Sequence, residues 1–391
     1  MHIKGFLHKM LSSVMHKKRL ITLIILVMTV LETKKLSLTE LGRGIELPIQ
    51  ERSGIRRADR FLGNKKLHSE KEAIYEVVIK KMIGNTSNPD VIVDWSNIPN
   101  TTNHVLRASL VAKGRAITLY EEVHPEKKLG NRQVQNKFLH KLKKLLPERC
   151  KPLIITDGGF HNEWFREIIK LGWDYLGRIR AGSGKKFHYV GSGEWKKCSV
   201  LCKKGSSTAI FIGEVDLCKE HPIRTNLYLY KGKLKGRKSL NKLGKKRGDS
   251  DALDYSKSAR EPWILATSLQ GKSFLMAKRV VKKYQKRMQI EEGFRDLKSS
   301  RYGFSFEKSY SKKCRRNEIL LLIAMLASFM AWLTGWVGEK WGLHRHFQSN
   351  TVKNRRVLSL FFLGCRIIKK KIKMTARMLE LAINEGLLCQ T

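Results

Sequence analysis

The amino-acid sequence predicts an α/β protein in which an antiparallel β-meander continues into βαβ units, with a β-rich insertion and helical regions at both ends. Three observations carry this. Alternating apolar runs separated by short polar turns lie between Val91 and Val123. An uninterrupted apolar strand, Leu153-Ile154-Ile155-Thr156-Asp157, is followed by a helical period and a further strand. After a β-like insert the pattern turns helical again, from about Phe274 to Lys298.

In chain order, residues 1–84 read as a helical region. The run Leu20 to Leu31 follows the basic His16-Lys17-Lys18-Arg19 and has the length of a signal-peptide core. Glu32-Thr33-Lys34-Lys35 follows it with no small-residue cleavage site, so a buried N-terminal helix is expected. Leu36 to Gly42 carries cap-like hydroxyls ahead of a short apolar face, and Ile55 to Leu62 interleaves Arg56, Arg57 and Arg60 with apolar positions. That is the pattern of a small helical DNA-binding module, against which stands a merely solvated basic helix.

Residues 85–182 form the first part of the core: strands at Val91 to Trp95, Val105 to Val111 and Ala116 to Val123, a helix from Arg132 to Leu146, the Leu153 strand, a helix around Trp164 to Leu171 and a strand from Trp173 to Ile179. Residues 183–258 break this rhythm with short β-like pieces, Thr208 to Val215 and Asn226 to Tyr230, leading into the basic, Gly-rich stretch Lys231 to Lys238. That stretch reads either as a clamp on a phosphate backbone or as a disordered loop. Residues 259–305 resume the core with the strand Trp263 to Ser268 and the long helix. Residues 306–391 are helical; Ile319 to Val337 is uncharged and long enough to span a bilayer, but its Ser328, Thr334 and Gly335 and two tryptophans suit an internal helix equally well. With no second span, no membrane partner is expected.

The charge balance names the class of partner. Lys+Arg of 78 against Asp+Glu of 34 leaves +44, with a pI near 10.2, and a one-signed field of that size calls for a polyanion, nucleic acid first. Hydrophobic residues at 42% exclude wholesale disorder. Seven cysteines in a large lysine-rich chain fit a reducing cytosol rather than a disulfide framework. Cys198, Cys202, Cys218 and His221 have a count and spacing a structural zinc could use, while the strand-like alternation around them favours free thiols.

Each of two apolar strands ends in an aspartate, Asp94 and Asp157, and strand ends are where an α/β core presents chemistry. On the long helix Tyr284, Arg287, Glu291 and Lys298 fall within a stripe roughly 60° wide at about 100° per residue. A carboxylate flanked by a phenol, a guanidinium and an ammonium suits a face that handles phosphodiesters. An ordinary solvated face is the alternative for the helix, and a turn or cap residue for each aspartate. Together, three hard oxygen ligands on two strand ends and a helix can hold two Mg²⁺ ions about 3.5–4 Å apart, one activating the nucleophile and one stabilising the leaving oxygen.

The spacing Tyr284-x2-Arg287-x3-Glu291-x6-Lys298 resembles the signature of the insertion-sequence-four family of bacterial cut-and-paste transposases. Lys286 to Glu292, Phe294 to Lys298, Val93-Asp94-Trp95-Ser96 and Asn350 to Arg355 look like its transposon-ten branch. The resemblance runs from about residue 36 to the C-terminal helices. It implies a ribonuclease-H-like core with a β-rich insertion before the glutamate helix. It further implies a catalytic metal-binding triad of Asp94, Asp157 and Glu291 holding two divalent ions, Mg²⁺ or Mn²⁺. Tyr284, Arg287 and Lys298 would contact DNA phosphates, Trp263 would stack on a flipped base, and Arg178 or Arg180 would reach DNA. The implied partners are double-stranded DNA, as transposon inverted-repeat ends and target, and a second copy of the chain, which the C-terminal helices would help bind. The implied reaction runs through nicking, hairpin formation, hairpin opening and strand transfer. Three readings compete with it: a structural DNA-binding protein, a membrane-associated protein anchored by Ile319 to Val337, and a metal-dependent nuclease that cuts without joining.

Overall fold

The computed structural model describes residues 2–232 and 261–386. The end of the basic stretch, residues 233–238, lies outside the described residues. The chain forms two compact units, Met1–Pro152 with Met288–Thr391, and Leu153–Arg287.

The first unit begins with five helices: α1 (His2–Leu11), α2 (Lys17–Thr33), α3 (Leu38–Arg43), α4 (Glu51–Leu62) and α5 (Lys65–Ile83). As expected, Leu20 to Leu31 lies in a helix with Leu20, Leu23, Leu26, Val27 and Leu31 buried. Helices α3 and α4 pack closely enough that a Cβ on Gly42 would strike the Ile55 backbone. Strands β1 (Asp90–Asn97), β2 (Asn103–Ala112) and β3 (Arg115–Pro125) follow as an antiparallel meander in the order β3-β2-β1. Gly114, at φ +72°, turns β2 into β3, a conformation that L side chains resist. Helix α6 (Arg132–Leu145) completes this half of the unit.

The second unit holds β4 (Leu153–Thr156), α7 (Asn162–Lys170) and β5 (Asp174–Ile179), with β4 and β5 parallel as a βαβ crossover requires. It continues with β6 (Lys186–Tyr189), β7 (Lys196–Lys197), β8 (Ile210–Leu217), β9 (Ile223–Tyr230), β10 (Trp263–Thr267) and α8 (Phe274–Gln285). The strand order is β4-β5-β10-β9-β8-β6-β7, so the β-rich insertion extends the sheet along one edge and β10 enters antiparallel between β5 and β9.

The chain then returns to the first unit with α9 (Met288–Lys298), α10 (Cys314–Lys340), α11 (His344–Phe347), α12 (Leu360–Lys369) and α13 (Ala376–Gly386). The expected single helix from Phe274 to Lys298 is therefore two. The Lys286 N–H bonds to the Lys283 carbonyl at 3.1 Å and the Arg287 N–H to the Tyr284 carbonyl at 3.0 Å, so the ladder tightens to three-residue spacing and stops. Neither glycine nor proline stands between Tyr284 and Met288 to announce the break. The stripe of four residues consequently divides, Tyr284 and Arg287 before α9, Glu291 and Lys298 on it.

Helix α10 is apolar and long enough to cross a membrane by composition, but 94% of its most apolar window is buried within the protein. It packs on α2, β3, α12 and α13. The crossing with α12 is close: a Cβ on Gly335 would run into the Leu360 carbonyl, and one on Gly364 into the Ala331 carbonyl. The apolarity of Ile319 to Val337 is thus largely buried inside the unit.

Candidate active site

In the first unit β1 carries Asp94 out of the core. Asp90 to Val93 are buried, Asp94 is half-buried, and its Oδ1 accepts the Trp95 N–H at 2.9 Å. Directly across the meander stand Arg107 on β2 and Glu121 on β3. Arg107 donates from Nε to Glu121 at 2.7 Å, both side chains almost wholly buried, and its guanidinium lies 4.4 Å from the Phe294 ring of α9. A buried carboxylate without that cation would be costly.

The other face of β3 carries Glu122, which accepts hydrogen bonds from the Tyr120 hydroxyl at 2.7 Å and Lys141 Nζ at 2.9 Å and bonds His124 Nε2 at 3.0 Å. Burial alone would raise this carboxyl, but the three hydrogen bonds hold it at about 2.

Helix α9 packs on β1 and β3 through Ile290, Phe294 and Leu297 and leaves Glu291 exposed. At its C-terminal end Lys298 donates to Ser96 Oγ at 2.8 Å and Asn97 Oδ1 at 2.9 Å, the residues just beyond Asp94. Burial, with the nearby Arg107 charge, brings the Lys298 ammonium down to about 8. Lys298 therefore ties α9 to the end of β1. Within this unit Asp94 and Glu291 stand on two elements that pack against each other.

In the second unit Asp157 follows the fully buried β4 and is partly exposed. Its Oδ1 accepts the Gly159 N–H at 2.8 Å, which closes a tight turn, and Arg180 Nη2 lies 3.9 Å from Oδ2. A Cβ on Gly158 would come within 2.7 Å of Arg180 Cγ, so glycine makes room for that arginine. Arg180 is 56% exposed, whereas Arg178 is 13% exposed and donates to Glu261 at 2.7 Å. Of the two arginines, Arg180 is the one presented outward.

Trp263 begins β10 half-buried between two tyrosines, 5.7 Å from the Tyr230 ring and 5.0 Å edge-on from Tyr284. Tyr284 is buried at 4% exposure, and the Arg287 guanidinium lies 6.0 Å from its ring. Of the signature residues before the break, Tyr284 thus lies against Trp263 and Arg287 lies near Tyr284.

The Cys198 and Cys218 N–H groups donate to the carbonyls of Lys185 and Lys186, Cys198 is buried with its thiol pushed up to about 11 by burial, and His221 is exposed. Among the described residues no three His, Cys, Asp or Glu side chains form a group able to hold a metal ion, and this covers the cysteine set. The carboxylates of Asp94, Asp157 and Glu291 are hard oxygen ligands, the donor chemistry that divalent ions take.

Sequence reasoning missed Arg107, Arg115, Glu121 and Glu122. The signal was present: Arg107 interrupts Val105-Leu106-Arg107-Ala108, and two acids interrupt Tyr120-Glu121-Glu122-Val123, inside strands that otherwise read as core.

The family described as transposase DDE domain matches residues 86–330, well over half of the chain. No curated protein matches it.

Proposed function

We propose, for a chain that belongs to the transposase DDE-domain family, that it moves an insertion sequence by cut-and-paste transposition. Membership makes the chain a transposase, an enzyme that cleaves DNA and transfers strands with the help of divalent metal. The further reading is that Asp94, Asp157 and Glu291 are the catalytic triad within a ribonuclease-H-like core of the transposon-ten type. One observation carries it. All three carboxylates fall inside the matched residues, and each is solvent-reaching beside a buried stretch: Asp94 after Asp90 to Val93, Asp157 after β4, and Glu291 beside buried Ile290.

The triad would hold two divalent ions, Mg²⁺ or Mn²⁺, which when bound supply an activated nucleophile and charge stabilisation at the leaving oxygen. Arg180, Arg287 and Lys298 supply cationic donors for phosphate oxygens in this reading, and Tyr284 and Arg178 are further donors. Trp263 offers an aromatic face to a base drawn out of the duplex. The net charge of +44 draws double-stranded DNA to the protein. The working assembly in this reading is a homodimer holding two inverted-repeat ends, with hairpinned intermediates.

The test uses purified protein, Mg²⁺ and linear DNA carrying the element's ends, resolved on a denaturing gel beside Asp157→Asn. Hairpins and joined products are expected from the wild type, with at least about a thousandfold loss in the variant. Cleavage without joining would identify a nuclease, and equal DNA binding with no cleavage in either protein would remove the catalytic reading.

A further inference from the structure

We propose that Arg115 is a positioning residue for Glu291, holding the first turns of α9 at a fixed rotation on β3. This rests on the triad reading above.

Glu291 is exposed and stands on a helix that is short and begins immediately after the break at Lys286-Arg287. First turns fray, because their N–H groups have no partner within the helix. Arg115 counters this from the opposite side. Its Nη1 pairs with Glu292, the neighbour of Glu291, and its Nε donates to Asp296 Oδ2 at 2.7 Å. Glu292 and Asp296 are four residues apart and share one helix face, so a single guanidinium grips two successive turns. A fork on two points resists rotation about the helix axis, which one contact cannot do.

Arg115 is itself braced. Its Nη1 also donates to the Gly114 carbonyl at 3.0 Å, and the adjoining turn is held from α10 by Trp332 Nε1, which donates to the Lys113 carbonyl at 3.2 Å, and by Glu339, 3.1 Å from Lys113 Nζ. Beside the fork lies a small cavity lined by Arg107, Arg115, Thr118, Gly293, Asp296 and Trp332. A rotation of one residue's worth, about 100°, would carry Glu291 off its face, and displacements of about 1 Å at a catalytic group cost about a hundredfold in rate.

The test compares wild type with Arg115→Ala, Arg115→Lys, Glu292→Gln and the double variant Arg115→Ala/Glu292→Gln as full-length proteins. Single-turnover DNA cleavage, DNA affinity and melting temperature are measured for each, with Glu291→Gln as control. Arg115→Ala and Glu292→Gln should each slow cleavage about ten- to a hundredfold with DNA affinity changed less than about twofold. The double variant should be no slower than the worse single one, because both remove the same contact. Arg115→Lys should recover part of the rate, keeping the charge without the fork. A folded Arg115→Ala with wild-type cleavage overturns the proposal, as do losses that multiply in the double variant. If Arg115→Ala does not fold, Glu292→Gln and Arg115→Lys decide by the same criteria. Should Glu291→Gln cleave normally, the triad reading itself has failed, an outcome distinct from loss in that control with no effect at Arg115.

Discussion

Asp94 belongs to a meander whose neighbouring strands bury charges and pair each of them, whereas Asp157 follows an apolar strand and meets its cation only at the rim. Around Asp94 and Glu291 the pairs Arg107–Glu121, Arg115–Asp296 and Lys298–Ser96 lie within the body of the first unit. Around Asp157 stand a main-chain hydrogen bond and an exposed arginine at 3.9 Å. Buried charges are costly unless paired, so a network of them fixes geometry at the expense of tolerance to change. Changes to the first setting should therefore register in stability, with or without an effect on rate, and changes to the second in rate alone.

The largest effect expected is at Glu121. Glu121→Ala leaves Arg107 buried without its counter-charge and should cost about 3–5 kcal/mol of stability, read as a lowered denaturation midpoint. A loss below about 1 kcal/mol would show that the meander is not braced in this way.

Next comes acid stability at Glu122. Its folded value of about 2 lies below the ordinary 4.5, so its contribution is fully present above pH 4.5 and is lost as pH falls from there through 2. The shift corresponds to roughly 3 kcal/mol. Glu122→Gln should flatten this acid limb of the unfolding curve, and an unchanged limb would place the acid sensitivity elsewhere.

The smallest effect should come from Gly158→Ala beside Asp157. The new methyl group meets the flexible stem of Arg180 and not backbone, so melting should shift by about a degree or less while DNA cleavage falls several-fold. A large fall in melting temperature would mean that the two settings are less unlike than described.

Much of this was legible in the sequence, and the exceptions have physical causes. The strands that carry Asp94 and lead into Asp157 could be read because alternation and apolar runs reflect burial directly, although β1 does not end at Asp94 as expected but runs on to Asn97. The break before Met288 could not: Tyr284 to Met288 contains good helix formers, and the three-residue hydrogen bonds come from packing, which overrides local preference. Arg178 and Arg180 looked equivalent, two residues apart on the same strand end. What separates them is Glu261, far away in the chain, which engages one and leaves the other outward. The carboxylate of Glu291 was found through its spacing to Lys298, yet the arginine that grips its helix lies on another strand, where no helical period could point to it.

Helix α10 has a further consequence, for synthesis. Two of its covers, α2 and β3, precede it in the chain and can already be folded when it emerges. Helix α12, whose glycine fits against it, comes only after the chain between Lys340 and Leu360 has been made, a delay of roughly one to four seconds at about 5–20 residues per second. For that interval a segment with the hydropathy of a membrane span stands half-clothed beside the ribosome, and the order of the elements along the chain determines how much of it the cell's insertion machinery meets.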